Sequence, residues 1–331
     1  MKKMFALILT LVMALSLCAC GGETTEPAEG ETTEAAGEPV ALSMATGGTS
    51  GTYYGFSGIV ANVLNEQISD VLSITVESTG ASGANIDLID TGANQIAIVQ
   101  NDVMYYAYTA TDMYSDKAPI ESYSAVMSCY PEYVQIIANK DITSIEDLKG
   151  KKVSVGDAGS GVEFNARQIL AAYGIDIETD ITKNNQGFAD SADSLKNGTI
   201  DAAFVVAGYP TTAVTELATS YEFNILEVDQ AHADALMADY GFYFYGTIPG
   251  GTYSCVADDV PAMAVMATII ARNDVPADTI YALVKGIFDN QEEIATAHAK
   301  GAELSLETAV SGIDIPFHEG ATKYFTEVGA M

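Results

Sequence analysis

The chain has 331 residues, 45 of them acidic and 14 basic, for a formal charge of −31 at pH 7. Acidity on that scale repels a phosphate backbone, so nucleic acid is excluded as a partner. It also means that any anion site must rest on local N–H donors and not on the field of the whole molecule.

Met1-Lys2-Lys3, an apolar core from Phe5 to Leu17 and then Leu17-Cys18-Ala19-Cys20-Gly21-Gly22 read as a signal peptide closed by a lipobox. A membrane-spanning anchor needs about 20 apolar residues, more than this run supplies. Residues 1–19 are therefore expected to be removed and Cys20 to become the acylated first residue. Residues 20–39 are aperiodic and rich in Glu, Thr, Ala and Gly, the composition of a flexible acidic tether. All acidic residues follow Cys20, so loss of Lys2 and Lys3 takes the charge from −31 to −33. The folded part is expected to be extracytoplasmic, held by its lipid to the outer face of the cytoplasmic membrane. About 290 residues remain, ample for two lobes.

Strand, small-residue loop and helix then follow one another three times, and later three times again. The first set is LSMATGGTSGTYYG (Leu42 to Gly55), ITVESTGASGANIDLI (Ile74 to Ile89) and IAIVQNDVMYYA (Ile96 to Ala107). The second is VSVGDAGSGVEFNARQIL (Val153 to Leu170), ITKNNQGFADSADSLKNG (Ile181 to Gly198) and AAFVVAGYPTTAV (Ala202 to Val214). Each apolar run ends in Gly, Ser, Thr or Asn and passes into helical spacing, the βα unit of a parallel sheet. Setting Gly92 over Gly198 aligns Ile96-Ala97-Ile98-Val99 with Ala202-Ala203-Phe204-Val205 without a gap. Two similar α/β lobes are the simplest reading. Helix starts leave N–H groups free and carry partial positive charge, so six such loops facing one another would line a solute cleft.

Between the sets, Ala125 to Asp141 contains two β-like runs joined at Tyr130-Pro131, and Phe242 to Cys255 is the expected return path. Lobe one is accordingly drawn as residues 40–138 plus 249–331 and lobe two as 139–248, with a hinge of two crossings. Lobe one is completed by a buried strand, MAVMATIIARND, and a helix from Ala277 to Lys300 whose apolar face is Ile280, Leu283, Val284, Ile287 and Phe288. Cys129 and Cys255 could form one disulfide in an exported protein or remain free and buried.

The loops supply the candidate ligand contacts. In the first, Thr46, Gly47 and Thr49 offer close backbone approach and hydroxyl donors, without the lysine of a phosphate-binding P-loop. Of Tyr53 and Tyr54, one is expected in the core and one in the cleft. Ser78, Thr79 and Ser82 repeat this chemistry after the second strand, and Gln100 and Asn101 end the third, where Asn101 could equally cap a helix. Gly159, Ser160 and Gly161 lead the second set, because Ser160-x-x-Glu163 is a capping box that aims its helix N-terminus outward, with Asn165 one turn on. Phe188, Ala207, Gly208 and Tyr209 close the set. Arg167 is expected chiefly to pair with Glu163, four residues earlier on the same helix, and is kept as a further candidate contact.

Catalytic patterns fail. His232, His298 and His318 have no metal-ligand spacing, and Asp157-Ala158-Gly159-Ser160-Gly161 lacks the glycines of a nucleophile elbow. With no base placed near Ser160, no enzyme, metal or cofactor is expected.

The succession GGTSGTYY, VESTGASGANIDLI, IAIVQND, YPEYVQII, IEDLKGKKVSVGDAGSGVEFNARQIL, LKNGTIDAAFVVAGYP, TIPGGTY and IPFHEGATKYF resembles the TAXI family. These are the extracytoplasmic receptors of tripartite ATP-independent periplasmic (TRAP) transporters, and the resemblance runs from Leu42 to Gly329. It implies an α/β, two-lobe periplasmic-binding-protein clamshell of type II-like form with a hinge between the lobes. It also implies capture of a small anionic or zwitterionic solute, of the glutamate or dicarboxylate class, for delivery to the membrane subunits of a TRAP permease. The same fold would serve the receptor of an ATP-driven (ABC) importer. An exported hydrolase or a surface-interaction protein are the readings from other classes.

Overall fold

The computed structural model describes residues 38–331. The expected signal peptide, Cys20 and the tether as far as residue 37 lie outside the described residues. The first set of units forms as read: β1 (Val40–Ala45), α1 (Thr52–Gln67), β2 (Leu72–Glu77), α2 (Ser82–Asp90), β3 (Ile96–Gln100) and α3 (Asn101–Thr109). A long strand follows, β4 (Tyr123–Ala138). The second set is β5 (Lys152–Ser154), α4 (Gly161–Ala172), β6 (Thr182–Asn184), α5 (Phe188–Lys196), β7 (Ala202–Ala207) and α6 (Thr212–Ala218). Then come β8 (Asn224–Leu226), α7 (Gln230–Asp239), β9 (Phe244–Ile248), β10 (Val260–Arg272), α8 (Ala277–Asp289), α9 (Gln291–Ala297), α10 (Leu306–Ala309) and α11 (Glu319–Glu327).

The strands join in the order β2-β1-β3-β10-β4-β7-β5-β6, with β8 on β4 and β9 on β10. In each half the first strand of a set lies between the second and third, all parallel, so the repeat is realised as two βα triplets. Each triplet is bordered by one long antiparallel strand, β10 beside β3 and β4 beside β7. Apolar residues cover both faces of each half. Leu42, Phe56, Ile98, Leu283 and Phe325 belong to one core and Ile86, Val99 and Met104 to the one behind it. Ile136, Val153, Ile169 and Leu226 fill a third, and Leu195, Val205 and Phe223 a fourth.

β4 and β10 run through both halves. Val126, Met127 and Tyr130 of β4 pack with Ala267 and Ile269 of β10 in the first core, whereas Val134 and Ile136 pack with Met263 and Val265 in the third. The chain thus passes between cores in mid-strand, where Glu132 faces Val265 and Pro131 faces Met266. The two β-like runs expected on either side of Pro131 are one strand of 16 residues, because β10 pairs with it continuously across the proline. Within the expected return path at 242–255 lies β9, which pairs with β10 as an antiparallel neighbour.

The single helix expected from Ala277 to Lys300 is broken. α8 stops at Asp289, Asn290 leaves the helix at φ −112°, ψ 20°, and its Nδ2 bonds the Gly286 carbonyl oxygen at 2.9 Å. The apolar face is as expected, with Ile280, Leu283, Val284 and Ile287 at most 1 % exposed. Of MAVMATIIARND, the residues up to Arg272 form the buried strand β10, which begins at Val260, and Asn273 and Asp274 are exposed in the turn beyond it. Cys129 and Cys255 are free thiols in different cores, one in the middle of β4 and one packed beside Tyr253 and Val260.

Candidate functional site

A cavity of about 50 Å³ lies where the strand-to-helix turns of the two halves meet. The starts of α1, α2, α4 and α5 border it, through Gly51, Ser82, Ser160 and Gly187. Their first N–H groups lack intrahelical acceptors and carry the positive end of each helix dipole. Ser160 caps α4, its Oγ accepting from the Glu163 N–H at 3.3 Å, while the Glu163 carboxylate accepts from the Gly159 N–H at 2.8 Å. This is the capping box read from sequence. Ala81 holds a backbone of φ 65°, ψ −150°, a region that costs a residue with a side chain about 1–3 kcal/mol. Its N–H bonds the Thr79 hydroxyl at 3.1 Å, and the bend carries the chain from β2 into α2 at the cavity wall.

Of the expected contacts, Gly47, Tyr53, Ser82, Gln100, Ser160, Phe188 and Ala207 border the cavity. Tyr53 does so while being 7 % exposed and packed in the first core, so one ring serves both roles expected of the tyrosine pair. Tyr54 is half-buried and outside the lining, and Thr49 and Ser78 are exposed.

Thr46 and Thr79 tie the turns together instead of facing the cavity. The Thr46 hydroxyl donates to the Glu77 carbonyl at 2.6 Å, and the Thr79 hydroxyl to the Thr46 carbonyl at 2.9 Å. Asn101 is a structural clamp, accepting from the Met266 N–H and donating to the Gly312 carbonyl, both at 3.0 Å. Asn165 sits behind the lining, receiving Gln100 Nε2 at 2.5 Å and donating to Asp102 at 2.9 Å and to the Tyr243 hydroxyl at 2.8 Å. This network joins α3 of the first half to α4 of the second.

Other glycines and contacts draw the halves together. A Cβ on Gly161 would stand 1.4 Å from Gln100 Oε1, and one on Gly83 would stand 2.1 Å from the carbonyl oxygen of Gly159. The Gly208 carbonyl accepts from the Thr52 hydroxyl at 2.8 Å, and the Ala213 N–H reaches the Ser50 carbonyl at 3.2 Å. The Tyr209 ring lies 4.9 Å from that of Tyr133 and 4.7 Å from Lys300 Nζ. The two turns are closed on each other around the cavity.

Arg167 stands apart from the lining. Its guanidinium pairs with Glu178 at 2.9 Å, not with Glu163 as expected, because Glu163 is taken by the Gly159 N–H and by Lys183 at 3.2 Å. The capping bond turns the Glu163 carboxylate toward the helix start and away from Arg167, one turn further on.

Two carboxyl groups in the lining escaped the sequence reading. Glu132, 1 % exposed, accepts from the Tyr53 hydroxyl on Oε2 at 2.8 Å. Burial pushes its pKa well above the usual carboxylate value, opposed by the Tyr53 bond. Asp157, at the turn after β5, is half-buried and is also raised, first by burial and then by the Asp190 charge. The signal for Glu132 was present: an acidic residue inside the apolar run of YPEYVQII. Asp102, in the network behind Gln100, is raised by burial to about 6.

Solved structures share this fold at low identity. The alkanesulfonate-binding protein SsuA from Xanthomonas axonopodis pv. citri, bound to MOPS, aligns with a TM-score of 0.50 at 14% identity, over 88% of this chain and 85% of that one. A structure of glutathione import via GshT and the cystine ABC importer TcyBC of Streptococcus mutans aligns at 0.50 and 14%, over 86% and 99%. A periplasmic transporter protein aligns at 0.51 and 15%, over 87% and 92%. The α/β fold is that of the periplasmic solute-binding proteins, a two-lobe clamshell. The NMT1-like family matches residues 44–329, nearly the whole of the described chain, and the protein belongs to that family.

Proposed function

We propose that this protein is an extracytoplasmic receptor that captures a small polar solute by closure of two lobes and presents it to a membrane importer. The observation that carries this reading is the cavity itself, bordered by four helix N-termini drawn from both halves and sealed by hydrogen bonds between them. Closure excludes water, so each bond to a captured solute counts for more than it would in an open cleft. A binding role, without catalysis, accords with the company of solute-binding proteins in which the fold is found.

We place the hinge in the middle of β4 and β10, near Glu132 and Met266, which assigns the first half of β10 and all of β9 to the second lobe. Cys20 acylation and the tether remain part of the proposal and would hold the receptor at the membrane. For the permease there are two readings. An ABC importer is the better supported, since the printed description of one structural relative names such an importer. A TRAP permease rests on the TAXI-like succession of motifs between Leu42 and Gly329. The solute class expected from that succession is an organic acid or amino acid.

A thermal-shift screen of the purified protein, stripped of co-purified solute, tests the receptor reading against acids, amines, amino acids, sulfonates and sugars. A solute at about 100 times its dissociation constant adds about 2.7 kcal/mol. Folded, empty protein whose melting responds to none of these compounds would overturn it.

A further inference from the structure

Resting on the receptor reading, we propose that the cleft selects solutes carrying a protonated amine, with Glu132 as the residue that receives it, and rejects the same acids without the amine. The charge pattern of the lining is the starting point. It contains two carboxyl side chains, Glu132 and Asp157, and no lysine or arginine. Glu132 is almost wholly enclosed, and Tyr53 occupies only its Oε2. Among the described residues Oε1 has no hydrogen-bond partner, although the side chain borders the cavity.

With Tyr53 as the carboxyl group's one hydrogen-bond partner among the described residues, burial makes the ionised form of Glu132 costly, and an ammonium supplies both the countercharge and the further donors that would hold it ionised. The Lys300 ammonium is not free to do so: Glu303 holds it at 2.6 Å, over the ring of Tyr209. Arg167 is bound to Glu178 on the outer surface. The helix starts around the same cavity offer N–H donors to an anionic or dipolar group of the solute. A dicarboxylate would find those donors, but in the same lining it would also meet the carboxyl groups of Glu132 and Asp157. A protein charged −31 also favours the approach of a cationic group over an anionic one.

The opposite arrangement is a Glu132 that stays protonated and donates to a solute carboxylate, and a direct experiment separates the two. Titration calorimetry on the purified protein would compare L-alanine, L-valine, L-glutamine and L-glutamate with propionate, isovalerate, glutaramate and glutarate, and add putrescine. The expected result is binding of at least one amine, with its counterpart lacking the nitrogen weaker by about 30-fold or more. Glu132→Gln should remove that preference with little change in melting temperature, because glutamine still accepts from Tyr53 and turns a donor to the cavity. Asp157→Asn, at a half-buried position, should weaken the same amine by a smaller factor.

Acids that bind as tightly with or without their amine would overturn the inference and leave the receptor standing. So would a Glu132→Gln variant that keeps the wild-type preference. Failure of every compound of both kinds, in folded protein that also answers to nothing in the wider screen, would remove the receptor reading and this inference with it.

Discussion

Gly83 offers the sharpest test of closure. It lies in α2 of the first half, and a Cβ there would stand 2.1 Å from the Gly159 carbonyl oxygen and 3.2 Å from its carbon. Neither group can rotate aside, because both belong to the backbone, and an ordinary contact requires the two halves to part by about 1 Å at this point. Overpacking of this kind costs about 1–3 kcal/mol. The cost falls on the closed state alone, so Gly83→Ala should weaken apparent solute affinity by about 5- to 150-fold, the reduction in the fraction of competent molecules. The same change should strengthen α2 by up to about 1 kcal/mol, since alanine is the better helix former. Calorimetry with a solute found in the screen, a thermal melt of the empty protein and small-angle scattering would together report affinity, stability and lobe separation. The expected result is weaker binding, a larger radius and a melting temperature no lower than wild type. Unchanged affinity with an unchanged scattering profile would refute the argument that closure passes through this contact.

Further expectations concern charge. Arg167→Ala should leave solute affinity unchanged and reduce stability by less than about 1 kcal/mol, because the pair with Glu178 is largely exposed; a calorimetric loss of binding would return Arg167 to the cleft. Asp102 predicts a pH dependence of stability. Its folded pKa of about 6 lies above the 3.8 of an unperturbed aspartate, so the folded state holds the proton more tightly. Its contribution is fully present below pH 3.8, is lost as pH rises toward 6, and amounts to about 3 kcal/mol in all. Denaturant titrations at intervals from pH 4 to 7 should show Asp102→Asn gaining on wild type as pH rises, and a constant difference would contradict the assignment.

The repeat of strand, turn and helix was legible because each unit is local. Apolar runs such as Ile96 to Val99 and Ala202 to Val205 are buried on both faces, and glycine or hydroxyl residues follow wherever a helix must start. The Ser160–Glu163 capping box belongs to the same class, since its two partners are three residues apart and need no tertiary contact. Burial of Ile280, Leu283, Val284 and Ile287 followed from helical period in the same way, while the break at Asn290 did not, because α9 turns to pack on the chain around Lys300.

What tertiary structure alone decided is which loop residues face the cavity and which serve the loops themselves. Thr46 and Thr79 share their chemistry with Ser82 and Ser160, yet the first two bond neighbouring turns and the others border the cleft. Spacing along one strand cannot distinguish these, because the partner comes from another unit. Glu132 is the extreme case: its position in β4 made it an oddity of composition, and only the meeting of Tyr53 from α1 with the mid-strand crossing turned it into a buried carboxyl at the cavity wall. Local physics wrote the elements into the sequence, and long-range packing between the halves decided their chemistry.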